Sequence, residues 1–182
     1  MTNDDLLLRW TMALDAAKDI FTWTEPLTLA WLAEQASKAV AAIEYGVYMG
    51  HSSKVMLAAN PRLHLWAGDL FMVAGTEKTS RYFLRDEIKQ GRCEIIPKSS
   101  PDMAAMLQHM TGKIDLVWVD DGHLASDVIR DIEAFYPLLR NGGLICGHDL
   151  ETNPENDVTR AVKRMLPLYH EAVPRVWAFT KP

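Results

Sequence analysis

The sequence is poor in the features that mark secreted, membrane-spanning or nucleic-acid-binding chains. It has two cysteines, Cys93 and Cys146, and both sit in apolar runs that read as strands. They read as buried thiols rather than as a disulfide or a metal pair. No apolar run approaches the roughly 20 residues needed to cross a bilayer. The opening Thr2-Asn3-Asp4-Asp5 is acidic where a signal peptide would be basic. A cytoplasmic protein with no membrane contact is expected. There is no basic tail and no Lys/Arg run, and the formal net charge is −5. That argues against a broad nucleic-acid surface but leaves room for a local basic pocket. Low-complexity stretches, internal repeats and linkers are missing too, as is a G-x-G-x-x-G dinucleotide fingerprint.

What is present suits one α/β domain. Hydrophobic residues make up 48% of the 182 and charged ones 24%, a globular profile with enough chain for one core. We read a single domain over 1–182, with N-terminal helices in 1–38 and a core in 39–182. Leu6, Leu7, Trp10, Leu14, Ile20 and Phe21 recur at helical spacing and predict a helix over about 4–20. Thr24 is a candidate N-cap for a second helix running to about Ser37, with Pro26 in its first turn. Ala39–Glu44 then reads as a buried strand ending at glycine. The alternation repeats: a helix over about 53–59, a strand over 63–67, a helix over about 79–90 closed by Gly91, and a strand over 93–97. Pro97 suggests that this last strand lies at an edge. A helix over about 101–110, a strand over 114–119, a helical stripe from Val128 to Leu139, a strand over 143–146 and a helix over about 156–165 follow. Residues 175–179 read as a last strand or hairpin. The pattern predicts a Rossmann-like three-layer α/β/α sandwich, its sheet mostly parallel with an antiparallel C-terminal strand.

In such folds ligands bind outside the carboxyl ends of the strands, so the residues there carry the functional signal. The first strand ends Glu44-Tyr45-Gly46-Val47-Tyr48-Met49-Gly50-His51-Ser52-Ser53. Its glycines allow a sharp turn and close ligand approach, and the next helix aims free N–H groups at the ligand. Glu44 favours a ligand with an amino or hydroxyl group over a bare phosphate. Asp69 lies 25 positions after Glu44, about where this fold places the carboxylate that binds ribose hydroxyls. Leu70 and Phe71 could then flank a base. Asp120-Asp121-Gly122-His123 and Gly147-His148-Asp149 follow the next two strands, which would be neighbours. Their carboxylates and imidazoles suit Mg²⁺ or Ca²⁺ with a histidine left as base. A lone Asp or His at a strand end more often caps a helix; four in register favour a site.

The stretch Ile114–Leu150, IDLVWVDDGHLASDVIRDIEAFYPLLRNGGLICGHDL, closely resembles the class I S-adenosylmethionine-dependent methyltransferases of the small type 24 branch. Ile43–Ser53 is similar to the same branch's E-x-G-x-x-x-G-x-S, with Tyr48 at the middle glycine of the wider superfamily. The resemblance spans about 38–165. It implies that Glu44, Gly46, Tyr48 and Gly50 contact the methionine part of the cofactor, and Ser52 the start of the helix. It implies that Asp69 holds the ribose beside Leu70, with Ser99 or Ser100 by the adenine. Asp120 is counted with the cofactor site and, with His148 and Asp149, as a candidate Mg²⁺ ligand; His148 stands where the branch has a carboxylate. His123 matches the proposed general base.

The leading expectation is O-methylation of a small-molecule hydroxyl, on a sugar or a secondary metabolite. Asp120 and Asp149 would hold Mg²⁺ or orient His123. A cofactor-binding protein without catalysis is the second reading, because the chain lacks an inserted lid. A nicotinamide-dependent oxidoreductase is the third. Trp10, Trp23 and Trp31 are expected to pack against the sheet rather than form an aromatic lid, and an exposed apolar face there would make a homodimer.

Overall fold

A computed structural model describes residues 2–182. Its centre is a seven-stranded sheet of order β3-β2-β1-β4-β5-β7-β6. The strands are β1 (Ala41–Tyr45), β2 (His64–Gly68), β3 (Cys93–Ile96), β4 (Ile114–Val119), β5 (Leu139–Gly147), β6 (His170–Val173) and β7 (Val176–Thr180). The first five run parallel, and β7 is antiparallel to both β5 and β6. The expected Rossmann-like sandwich is therefore the fold, and β3, followed by Pro97, is indeed an edge. Chain order reverses between β1 and β4, so the switch point opens above Tyr45 and Val119.

The helices are α1 (Asn3–Arg9), α2 (Thr11–Asp15), α3 (Pro26–Ala36), α4 (His51–Ala59), α5 (Thr76–Phe83), α6 (Arg85–Lys89), α7 (Ser100–Met106), α8 (Ala125–Phe135) and α9 (Asp157–Met165). One face of the sheet packs Tyr45, Val117 and Trp177 against α7, α8 and α9 through Met103, Phe135 and Val162. The other packs Leu65, Trp118 and Cys146 against α3 and α4 through Leu32 and Met56. Both cysteines are buried and free. Among the described residues no helix is long and apolar enough to cross a membrane.

Three expectations for the helices need correction. The helix over 4–20 is broken at Trp10, where the Thr11 hydroxyl donates back to the Leu7 and Leu8 carbonyls and competes with the backbone ladder. The helix over 79–90 is two helices meeting at Leu84, which is fully buried and leaves helical geometry (φ −98°, ψ 9°). Thr24 does not cap α3; the N-cap residue is Glu25, whose side chain makes no capping bond. Pro26 does occupy the first turn, where its missing N–H costs nothing.

Candidate active site

The turn between β1 and α4 is built by backbone. Gly46 has φ 103° and Gly50 φ 88°, both in the left-handed region. Tyr48 keeps a positive φ of 49° where the superfamily has glycine. A tyrosine there is strained, and the surroundings must hold it. Asp69 does so: its Oδ2 accepts the Tyr48 N–H at 2.7 Å and its Oδ1 the Phe71 N–H at 2.5 Å. Each oxygen keeps a free acceptor position for a ligand hydroxyl. Asp69 thus locks the turns after β1 and β2 to one another while it faces the cavity.

Glu44 has a different place from the one expected. It is fully buried and does not line the cavity; its two oxygens accept the Ser52 and Ser53 hydroxyls and so pin the first turn of α4 from behind. Burial pushes its pKa up to about 7, against the two hydroxyls, which lower it. Folded Glu44 therefore holds its proton to higher pH than the unfolded chain does. Its contribution to stability is full below about pH 4.5 and is lost as pH rises through about 7. A shift of this size is worth about 3 kcal/mol. Glu44→Gln should lose that dependence. Between pH 5 and 8 its melting temperature should fall by roughly 6–12 °C less than that of the wild type. Parallel pH profiles for the two proteins would refute the account.

Above this turn lies a cavity of about 650 Å³, large enough for a cofactor and part of an acceptor. Of the residues expected at the site, Gly46, Tyr48, Ser52, Asp69, Leu70, Asp120, His123, His148 and Asp149 line it, and Gly50 stands outside the lining. Ser99 and Ser100 do not. Ser99 caps α7 by accepting the Asp102 N–H, and Ser100 is buried with its hydroxyl on Asp131. Asp121, not among the expected residues, also lines the cavity, and burial raises its pKa to about 6 with help from the charge of Asp69. His51 also lines the cavity; its Nδ1 is buried without a partner, and burial lowers its pKa. Phe21, Thr22, Trp23 and Thr24 close one side. Trp23 is 80% exposed and meets Phe21 edge-on at 4.8 Å. Trp31 packs against the sheet as expected, but Trp10 packs among the N-terminal helices and α4, and Trp23 belongs to the mouth of the cavity.

The polar end of the cavity is a network. His123 Nε2 lies 2.7 Å from Asp149 Oδ2, and the His123 side chain is 70% exposed. Arg175 Nη2 lies 2.5 Å from Asp149 Oδ1, and Nη1 3.3 Å from Glu25 Oε1. His148 Nε2 is 2.8 Å from Glu25 Oε2; its Nδ1 is 3.3 Å from Asp149 Oδ1 and 3.9 Å from Asp120 Oδ1. Burial disfavours the charged form of His148, but hydrogen bonds to Asp149 and Glu25 and the charges of Asp120 and Asp149 outweigh it and raise the pKa. Asp149 is the converse. Burial would raise it, yet the His148 hydrogen bond, with the charges of His148, His123 and Arg175, holds it at about 2. Asp120 is shifted the other way: burial, helped by the charge of Asp149, outweighs the charge of His148 and pushes it up to about 8.

Asp120, His148 and Asp149 each offer a donor atom, and these lie within 4.8 Å of one another. They meet as expected, but they do not fit Mg²⁺, which demands near-octahedral oxygen coordination. One donor is an imidazole, and both oxygens of Asp149 are already engaged by the chain itself, Oδ1 by the Arg175 guanidinium and Oδ2 by the His123 imidazole.

A Rossmann-like sheet whose switch-point turn, Asp69 and His123–Asp149 pair share one cavity suits an enzyme that binds a nucleotide-like cofactor. Residues 43–150 match the family described as methyltransferase domain, type 24. The chain belongs to this family and is an S-adenosylmethionine-dependent methyltransferase. No curated protein matches the sequence. Solved structures with the same fold include an O-methyltransferase from Bacillus cereus in complex with S-adenosylhomocysteine (14% identity, TM-score 0.68, covering 100% of this chain and 93% of that one). The O-methyltransferase TomG from Streptomyces achromogenes, of tomaymycin synthesis, was solved with S-adenosylmethionine (15%, 0.67, 97% and 90%). A third is CalS11, a TDP-rhamnose 3′-O-methyltransferase of calicheamicin biosynthesis (19%, 0.67, 85% and 77%). The positive-φ turn, the bridging Asp69 and the uncapped N-terminus of α4 fit S-adenosylmethionine.

Proposed function

We propose that the protein methylates a hydroxyl oxygen of a small molecule, a sugar or a secondary metabolite, with His123 as the base. The carrying observation is the 2.7 Å contact between His123 Nε2 and Asp149 Oδ2, on the wall of the cavity that Gly46, Ser52 and Asp69 also line. The O-methyltransferases among its structural neighbours support oxygen as the acceptor atom.

S-adenosylmethionine, when bound, supplies a methyl group on a sulfonium that is already reactive toward an oxygen nucleophile. The chain has three tasks: to hold, to align and to remove a proton. Gly46, Tyr48, Gly50 and Ser52 would hold the methionine part, Asp69 the ribose, and Leu70 and Phe71 the base. Asp149 is anionic at neutral pH, so its Oδ2 accepts a hydrogen bond from His123 Nε2–H, which leaves Nδ1 free to accept the substrate hydroxyl proton. Mg²⁺ has no part in this reading. The Phe21–Thr24 link would shape the acceptor side. The reading keeps a homodimer through the N-terminal helices, where Leu8 and Met12 face solvent.

Incubation with methyl-labelled S-adenosylmethionine and a panel of sugars, phenols and amines, with product analysis by mass spectrometry, tests the proposal. O-methyl ether products are expected. Label found only on nitrogen or carbon acceptors, or cofactor binding with no product across the panel, would sink it.

A further inference from the structure

We infer that Arg175 is a built-in cation beside the Asp120–His148–Asp149 cluster, and that the folded protein excludes a divalent metal from it. The guanidinium spans two carboxylates. One arm lies 2.5 Å from Asp149 Oδ1 and the other 3.3 Å from Glu25 Oε1. The remaining oxygen of Glu25 holds His148 Nε2 at 2.8 Å, and the remaining oxygen of Asp149 holds His123 Nε2 at 2.7 Å. His148 Nδ1 sits 3.3 Å from Asp149 Oδ1, a direct contact between the imidazole and the carboxylate. Both oxygens of Asp149 and both of Glu25 are thus engaged by side chains of the chain itself, which leaves Asp120 as the remaining carboxylate of the cluster.

Arginine suits this role for a reason of chemistry. An imidazolium can lose its proton and become a ligand; a guanidinium stays charged at any pH the fold survives. It cannot make way for an ion by deprotonating, and its charge repels a second cation at the same carboxylate. The backbone shows that its aim is fixed. Arg175 is one of four described non-glycine residues with positive φ, at 68°, in the turn between β6 and β7. Its N–H donates to Glu171 Oε1 at 3.0 Å, which stabilises a conformation that costs energy.

The same arrangement fixes the base. Arg175 holds one oxygen of Asp149, so the other points at His123. Arg175 is a positioning residue, two contacts removed from the acceptor. That second part rests on the proton removal proposed above; the exclusion of metal stands on geometry alone.

Mn²⁺ binding to the purified protein, followed by the electron paramagnetic resonance signal of the free ion, tests the exclusion without acceptor or cofactor. The wild type is expected to bind Mn²⁺ no tighter than about 1 mM, as weak carboxylate sites do. Arg175→Gln, which removes the charge and frees Asp149 beside Glu25 and Asp120, should bind at least about tenfold tighter. Arg175→Lys, which keeps a charge, should bind like the wild type, an outcome that a merely structural role would not produce. Tighter stoichiometric binding by the wild type, or equal affinity in Arg175→Gln, overturns the inference. The wild-type arm decides even if a variant fails to fold. Failure here would leave the methyl-transfer reading standing.

Discussion

His123→Ala is expected to lower turnover by about 10²- to 10⁴-fold, the range for loss of a positioned general base, with S-adenosylmethionine affinity unchanged. The side chain is 70% exposed and its one polar contact is Asp149. Its removal should therefore leave stability within about 0.5 kcal/mol of the wild type. The selective loss arises because the cofactor's methyl is reactive without help, while a neutral hydroxyl is a poor nucleophile until its proton has somewhere to go. Turnover of the variant should rise with pH as hydroxide takes over, most of all for phenols, which ionise more readily than sugar hydroxyls. Asp149→Asn should fall in the same direction, because an amide can donate to His123 Nε2 and so present the wrong tautomer. The double variant should be little worse than the worse single one, as expected for groups that act as a unit. Measured rates with a confirmed acceptor and calorimetry with the cofactor check both halves. Unchanged turnover in His123→Ala would end the assignment. An equal loss of cofactor affinity would move His123 from the chemistry to the binding site.

The residues that do this work differ in how far the sequence shows them. The turn after β1 is legible because its conformation needs glycine at 46 and 50, and Asp69 because the fold fixes its distance in sequence. Asp120, His123, His148 and Asp149 are legible because parallel neighbours place strand ends side by side. Glu25 and Arg175 are not. Glu25 reaches His148 across 123 positions and Arg175 reaches Asp149 across 26. No periodicity carries a contact made between a helix entry and a hairpin turn. Glu25 even has the place of an N-cap, and only the structure shows its carboxylate turned away from the helix. Glu44 is a subtler case. Its position was readable but not its direction, since a strand residue points to one face or the other and the serines of α4 claim this one. Helix breaks at Trp10 and Leu84 escape for a related reason: an apolar period continues through a kink that tertiary packing imposes.

Gly46→Ala should be the most damaging single change of a methyl group in the turn. A Cβ at Gly46 would lie 2.1 Å from the Asp120 carbonyl oxygen, 2.3 Å from its carbon and 2.7 Å from the Asp121 nitrogen. These are backbone atoms at the end of β4, so no side chain can rotate away to make room. The residue also sits at φ 103°, outside the range an alanine adopts easily. Relief requires β1 and β4 to part at the switch point. That would break the Asp120 N–H bond to the Tyr45 carbonyl, 2.8 Å. The same movement drags Asp120 and Asp121 from the cavity wall. A loss of about 3 kcal/mol or more is expected, by backbone strain and steric conflict together, along with cofactor binding. Gly112→Ala supplies the control. Its φ is 70° and a Cβ there meets nothing within 4 Å, so it should lose only the conformational part, about 1 kcal/mol, and bind the cofactor normally. Urea unfolding and calorimetry on both variants separate crowding from strain. If the two cost the same, close approach of β4 is not what makes glycine necessary at position 46, and the turn tolerates any residue that accepts a positive φ.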